Sequence, residues 1–194
     1  MNFIKSHRTH ILAITLLAFA LLATAAVIAS RIKAPGNPRV AGVQETTSRG
    51  RIAAQIAADL AAGRKAIYAD PDYGFNFWYP LGMKVGYVQD VDADQLLFQM
   101  QSDTVMEISI KPNADGVTEL TPGAIAAANP GMAMADAKER VIWANNGIWF
   151  ESRTDSGEPL VEFWFLDRDL IYQLTAPAEY SDFLKQVIDT WSWD

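Results

Sequence analysis

Two residue types that carry much of protein chemistry are missing from most of this chain. Its 194 residues contain no cysteine, and its only two histidines are His7 and His10. The missing thiols exclude disulfides, thiolate nucleophiles, and zinc or iron–sulfur sites held by cysteine. The part of the chain beyond residue 10 has no histidine, which excludes Ser-His-Asp catalytic triads, histidine metal sites and histidine general bases there. We therefore predict no catalytic residue and expect a protein that is not an enzyme.

Positive charge is scarce in the second part of the chain. Residues 66–194 hold seven Lys or Arg against 21 acids, whereas residues 1–65 hold nine against two. Nucleic-acid binding by the acidic part is disfavoured, because such affinity rests on Lys and Arg that neutralise phosphates. The basic stretch from Arg31 to Lys65 either lies against anionic lipid headgroups or serves as a soluble linker.

One long uncharged run is present near the amino end, ILAITLLAFALLATAAVIAS from Ile11 to Ser30. Twenty helical residues span about 30 Å, the thickness of the hydrocarbon core of a bilayer. A cleaved secretory signal is the alternative, since Lys5 and Arg8 precede the run and small residues end it. Apolar segments of signal peptides are usually about 7–15 residues long, which favours a retained membrane anchor here.

The run predicts a single-pass membrane protein with its large domain outside the cytoplasm, or a secreted protein if the segment is cleaved. Basic residues flank both ends, so charge alone leaves the orientation nearly balanced, and long domains translocate largely regardless of their charge. The predicted organisation is a basic tail over 1–10, an anchor over 11–30, a linker over 31–50, an amphipathic helix over 51–65 and an α+β domain over 66–194.

Alternation of apolar and polar residues predicts an antiparallel sheet in the domain. The segment 105–111 shows it clearly, because Met106, Ile108 and Ile110 share one face. Turn-forming residues at 145–147 and 155–158 separate neighbouring segments. The predicted strands are 73–79, 83–88, 95–101, 105–111, 140–143, 148–154, 160–166 and 170–175.

Helical periodicity precedes, interrupts and follows these strands. Ile52, Ile56 and Leu60 form the stripe of the first helix, and Thr121 with Pro122 opens a short second helix through residue 128. A third apolar stripe covers 179–190. The fold class predicted from this pattern is α+β, an antiparallel sheet sandwiched by helices behind a transmembrane helix.

Two stretches of the domain resemble a known family. The segment DYGFNFWYPLG, residues 72–82, is similar to the opening motif of PsbP-like domains. The end of the chain resembles that group's last strand, helix and terminus, at residues 171–175, 180–188 and 190–193. Met83 stands where the group usually has Trp. The resemblance covers about residues 70–194 and implies the Mog1/PsbP-type α/β/α sandwich, an extracytoplasmic location, and a role in stabilising or assembling larger membrane complexes. It supplies no catalytic residue.

Three alternating carboxylates, Asp90, Asp92 and Asp94, resemble the start of a calcium loop, where such side chains converge on one hard cation. In such a loop the sixth residue is Gly and the twelfth is a bidentate Glu, whereas this chain has Gln95 and Gln101 at those positions. The pattern therefore indicates either a site for a divalent cation such as calcium or a solvated acidic turn. No other cofactor is indicated.

The tripeptide at Asp155, Ser156 and Gly157 matches the short signature of aspartic proteases. Those enzymes need two such carboxylates sharing a proton, and this chain has a single copy. We therefore interpret the segment as a hairpin turn.

Aromatic residues crowd one predicted strand, where Phe163, Trp164 and Phe165 must point to both faces of the sheet. One face of this sheet forms the core. The other face is either covered by a second helix layer or forms an apolar surface for a ligand or partner. With Trp149 on the preceding strand, these side chains are the candidate partner surface.

These observations favour a membrane-anchored, extracytoplasmic binding or assembly module that docks a protein partner or membrane complex. Two alternatives stay open. A hydrolase using carboxylates requires paired acids about 5–10 Å apart across a cleft, and a carrier of an apolar ligand requires an enclosed cavity between sheet and helices.

Overall fold

Small and branched apolar residues at four-residue spacing form the first helix, α1 (Ala41–Ala61). Ile52 and Ile56 are buried in the main core, as their helical spacing predicts. The helix begins earlier and ends earlier than the predicted 51–65, so the last part of the predicted linker is helical. Gly50 suggested a loop, but helix propensity is a weak prior of about 1 kcal/mol that tertiary context overrides.

The structure, a computed structural model, describes the backbone of residues 41–193 and the side chains of residues 48–193. The predicted tail over 1–10, the predicted anchor from Ile11 to Ser30 and the linker up to residue 40 lie outside the described residues. Within 41–193, every helix is too short or too polar to span a bilayer. From Val43 onward the described chain forms one compact unit.

Ten strands in the described range make two antiparallel sheets, which confirms the predicted α+β class. The small sheet has the order β1-β2-β10, formed by β1 (Lys65–Ala69), β2 (Phe75–Pro80) and β10 (Ser192–Trp193). The large sheet has the order β3-β4-β5-β9-β8-β7-β6. Its strands are β3 (Lys84–Gln89), β4 (Asp94–Met100), β5 (Asp103–Pro112), β6 (Ala135–Ile142), β7 (Asn145–Arg153), β8 (Pro159–Asp167) and β9 (Leu170–Pro177).

One face of the large sheet is the main core. Leu96, Ile108, Leu174 and Phe163 are cross-strand neighbours on β4, β5, β9 and β8, and all four are buried. Against them pack α1, the small sheet and the last helix, α3 (Ser181–Thr190). The α3 residues Phe183, Leu184, Val187 and Ile188 are buried there, as the predicted stripe requires.

The other face is covered over β7 and β8 by the short helix α2 (Pro122–Ala128) and its flanking residues. Thr121 caps this helix, its hydroxyl accepting a hydrogen bond from the Ala124 N–H at 3.1 Å, and Pro122 occupies the first turn. Ile125 packs there in a second buried cluster. Helical residues therefore lie on both faces of the sheet, as predicted.

Several strand assignments differ from the prediction. The short strands β1 and β10 were not predicted, because five and two residues give too little alternation to detect. Strand β6 begins at Ala135 rather than at residue 140. Its first half is exposed and charged, as edge strands often are, so the apolar alternation that marks a strand is missing.

Candidate functional site

The three carboxylates of the acidic turn join β3 to β4 and differ in their surroundings. Asp90 and Asp92 are exposed, whereas Asp94 is half-buried at the start of β4. The Asp90 carboxylate accepts a hydrogen bond from the Val91 N–H at 2.6 Å. A depression of about 160 Å³ lies beside the turn and is lined by all three.

Asp94 is bound by two tyrosines. Its Oδ2 accepts a hydrogen bond from the Tyr73 hydroxyl at 2.5 Å, and the Tyr87 hydroxyl bonds to the same carboxylate. These two bonds hold the pKa of Asp94 below its usual range, and the bond to Asp94 raises the pKa of Tyr87 to about 12. Asp94 thus ties the edge of the large sheet to the loop before β2.

The same bonds bear on the predicted cation site. A carboxylate that accepts two phenolic hydrogen bonds has fewer lone pairs to offer a cation. Within the described part of the chain, no three acidic or histidine side chains are grouped closely enough to hold a metal ion. A divalent cation at Asp90, Asp92 and Asp94 stays a prediction from sequence alone.

Most of the predicted partner surface is interior. Phe163 and Phe165 have no exposed area and Trp164 is 6% exposed. The two Phe rings face the main core, whereas Trp164 faces α2 together with Phe150 and Ile125. The second helix layer, one of the two alternatives considered, therefore occupies this face, and these three residues offer no surface to a partner.

Trp149 differs from the other three, because it is half-buried beside two cations. The Arg140 guanidinium lies 5.9 Å and the Lys185 ammonium 6.0 Å from its ring centroid. Arg140 also pairs with Asp189 of α3 at 2.5 Å. The contacts of Trp149 therefore join β6 and β7 to α3, which is a packing role.

Two glutamates, the buried Glu162 and the half-buried Glu107, were not predicted as a site. Burial raises the pKa of Glu107 and of Glu162 above the ordinary range of a carboxyl. Glu162 accepts hydrogen bonds from the Ser152 hydroxyl and, at 2.8 Å, from the Trp164 indole N–H. In the sequence, each glutamate stands between two apolar residues of the main core: Met106 and Ile108 for Glu107, and Val161 and Phe163 for Glu162.

Glu107 and Glu162 bear on the hydrolase alternative. They lie in one cross-strand row with Thr175 between them, which places their Cα atoms about 10 Å apart. Glu107 lines a depression of about 460 Å³, and Glu162 lines another of about 320 Å³. Glycoside hydrolysis needs both carboxyl groups on either side of one substrate, and these two face different depressions.

The carrier alternative requires an enclosed apolar cavity. A depression of about 250 Å³ lies between α1 and α3, with Ile56, Leu60 and Phe183 in its lining. Ligand pockets usually measure about 300–1,000 Å³ and bury most of their ligand. This depression is smaller than that range.

The segment at Asp155 is a hairpin turn, as interpreted from the sequence. The Gly157 N–H donates to the Thr154 carbonyl at 2.8 Å, and the hydroxyls of Thr154 and Ser156 lie 2.8 Å apart. Gly157 has a φ of +85°, a left-handed conformation that glycine adopts without strain. Asp155 itself is exposed.

The β6–β7 hairpin presents an unusual tryptophan. Ile142 pairs with Asn145, so Trp143 and Ala144 form a two-residue loop. Trp143 has a φ of +54° and is 63% exposed. A bulky side chain at such a φ is an outlier that costs about 1–2 kcal/mol. The ring thus projects from a strained turn into solvent.

The surroundings of this ring are partly apolar. Val141, two residues earlier, is 61% exposed. Next to the loop lies a depression of about 380 Å³ whose lining includes Leu120, Ala144 and Leu166. We call the exposed Val141 and Trp143 together with this depression the Trp143 surface.

The sequence placed this turn at the wrong residues. Asn145, Asn146 and Gly147 were predicted to form it, yet all three belong to β7. Gly147 is required for packing instead, since a Cβ there would lie 2.3 Å from Cζ of Phe163. Neither Trp143 nor Ala144 is a turn-forming residue type, so the sequence carried no signal for a loop at these positions.

Comparison with known proteins adds a structural similarity. No family model and no curated protein matches the sequence. Among solved structures, the chain is similar to the solution structure of cyanobacterial PsbP (CyanoP) from Synechocystis sp. PCC 6803, with 14% identity and a TM-score of 0.46. The match covers 68% of this chain and 93% of that one. The sequence of residues 70–194 resembles the same group of proteins.

Proposed function

We propose that this protein is a membrane-anchored, extracytoplasmic and non-enzymatic module that docks a protein partner through the Trp143 surface. The observation that carries the proposal is the exposed tryptophan at a left-handed turn position. Tryptophan is enriched among the few residues that dominate protein interfaces. The two-residue hairpin loop sets the left-handed φ at this position, where glycine or asparagine would be the unstrained choice, and the tryptophan found there holds its ring out in solvent.

The Trp143 surface has the composition of an interface. Its exposed Val141 and Trp143 supply apolar area, and the adjoining depression adds polar groups, since Glu119, Asn145 and Asn146 line it together with the two leucines. The Asn145 amide donates to the Asp167 carboxylate at 3.1 Å, which fixes the hairpin against the neighbouring β8. An exposed aromatic ring next to polar groups is the composition of an interface core and its rim.

The location in this proposal rests on the sequence. The uncharged run from Ile11 to Ser30 is long enough to cross a bilayer. The resemblance to PsbP-like domains implies an extracytoplasmic role in the assembly of membrane complexes. A membrane complex is therefore the partner that we propose.

A glycine substitution tests the role of Trp143 without unfolding the hairpin. Trp143→Gly removes the ring and relieves the left-handed backbone, so the variant should be at least as stable as the wild type. Gln101→Gly is the matched control, because Gln101 has a φ of +59° in the β4–β5 hairpin. It relieves a similar strain and leaves the Trp143 surface intact.

The full-length wild type and both variants would be crosslinked mildly in native membranes, and the mass of each adduct measured. We expect an adduct whose mass differs from that of two copies of this chain from the wild type and from Gln101→Gly, and its loss from Trp143→Gly. Equal amounts of that adduct from all three proteins, or none of it from any, would overturn the proposal.

A further inference from the structure

Strand β3 is an edge of the large sheet and is largely uncovered. Among the described residues 41–193 it pairs only with β4, in regular register from Lys84 to Gln89. Tyr87 is 49% and Val88 45% exposed, and five of its six residues are exposed. An exposed edge with apolar side chains is a template for pairing with another strand.

The opposite edge of the same sheet is protected. Strand β6 carries four charged residues in eight, its pairing with β7 is irregular between Ala135 and Lys138, and Asp136 has a φ of +50°. Charges and irregular pairing are the devices by which proteins prevent edge-to-edge association. Strand β3 has neither a proline nor an irregular pairing, and Lys84 is its only charged residue. The contrast indicates that β3 is built to be paired.

We propose that β3 pairs with β3 of a second copy of this chain, antiparallel and about a two-fold axis through Tyr87. The charges of the strand select this partner. Lys84 begins the strand and Asp90 directly follows it, so a two-fold axis at Tyr87 places each Lys84 opposite the Asp90 of the other copy. The strand is thereby complementary to itself, as a two-fold interface requires.

The faces of the strand fit this register. Successive side chains of a strand point to opposite faces of the sheet, so Lys84, Val88 and Asp90 lie on one face and Tyr87 lies on the other. Both members of each charge pair therefore lie on the same side of the extended sheet. The hydrogen bond from Val91 N–H to the Asp90 carboxylate holds that side chain at the end of the strand. Gly86 falls opposite Val88, where its missing side chain leaves room for the valine. Opposite charges facing each other across strands are stabilising.

The absence of cysteine from the chain provides a direct test. Residues directly opposite in antiparallel strands have Cα atoms about 4.5–5.5 Å apart, within the range that a disulfide bridges. Tyr87→Cys in the full-length protein should therefore give a disulfide-linked dimer under mild oxidation. Ile67→Cys is the matched control, since Ile67 is 55% exposed on β1 of the small sheet. We expect at least about tenfold more linked dimer from the first variant.

Charge reversal tests the register and does not depend on folding of the cysteine variant. Lys84→Glu turns two attractive pairs per dimer into repulsive ones and should weaken dimerisation about fivefold to tenfold. Combining it with Asp90→Lys restores opposite charges and should restore the dimer, as measured by sedimentation of the full-length protein in detergent.

Equal crosslinking at residues 87 and 67, or no recovery in the double variant, would overturn the proposal. Trp143→Gly lies at the other edge and should leave this dimer unchanged, which separates the two proposals.

Discussion

Single residues in this protein hold their places through close and specific contacts. Glu162 is 5% exposed, yet its carboxylate is hydrogen-bonded by Ser152 and Trp164 rather than paired with a nearby cation. Gly147 is buried under the Phe163 ring. Neither requirement shows in residue type or spacing, because each arises from a neighbouring strand that only the folded sheet brings close.

Replacing Glu162 should change how stability depends on pH. Burial raises the pKa of Glu162 in the folded protein, so the folded state holds the proton more tightly than the unfolded state does. The protonated form of Glu162 therefore contributes stability at low pH. That contribution is lost as pH rises above the pKa of a glutamate in the unfolded chain, about 4.3. Glu162→Gln should remove that loss, since its amide oxygen still accepts the hydrogen bond from the Trp164 indole N–H and its amide N–H can donate to the Ser152 hydroxyl oxygen.

The check is the urea midpoint followed by tryptophan fluorescence between about pH 4 and pH 7. The wild type should lose stability relative to Glu162→Gln across this range. Glu151→Gln, an exposed carboxylate on the adjacent β7, is the control and should follow the wild-type profile. Parallel profiles for the wild type and Glu162→Gln would contradict the account.

Adding one methyl group at Gly147 should be costly. The new Cβ would lie 2.3 Å from Cζ of Phe163 and 2.8 Å from the Trp164 carbonyl oxygen. We expect Gly147→Ala to destabilise the fold by about 1–3 kcal/mol through overpacking. In the control Gly131→Ala, the new Cβ meets nothing within 4 Å. Thermal unfolding that is equally lowered, or unchanged, in both variants would show that close packing is not what requires Gly147.

Helices and strands were predictable where their periodicity was long. The alternation of Met106, Ile108 and Ile110 located β5, and the capping pair Thr121 and Pro122 located α2. The start of α1 was missed because glycine and polar residues hide the helical pattern there. The prediction for β6 was too short because an edge strand carries charges where a central strand carries apolar residues. Pattern therefore reveals elements that face the core better than elements at the periphery.

The amino-terminal extension of α1 can be tested at Gly50. A Cβ at this position would meet nothing within 4 Å. Alanine should therefore stabilise the helix by about 0.5–1 kcal/mol, because glycine in a helix interior loses more backbone entropy on folding. Gly63→Ala, at a φ of +70° after the helix, should instead destabilise the protein. If Gly50→Ala leaves the thermal midpoint unchanged, residue 50 is in a linker, as the sequence first indicated.

At the scale of the whole molecule, the architecture was predictable and the binding surface was not. The alternating strands and the helical stripes around them predicted the α+β class, which the two antiparallel sheets confirm. Three of the four aromatic residues predicted as a partner surface are core, since Phe163 and Phe165 face the main core and α2 covers Trp164. Sequence pattern distinguishes apolar from polar residues, but exposure of Trp143 depends on where the chain turns.

The central claim is that a protein partner contacts Trp143, and site-specific photocrosslinking tests it most directly. A photoreactive amino acid would replace Trp143 in the full-length protein within its native membrane. A second protein would carry it at Ile67, which is 55% exposed on the small sheet. The account predicts one discrete adduct from position 143 and none of that mass from position 67. The same adducts from both positions, or none from position 143, would contradict it.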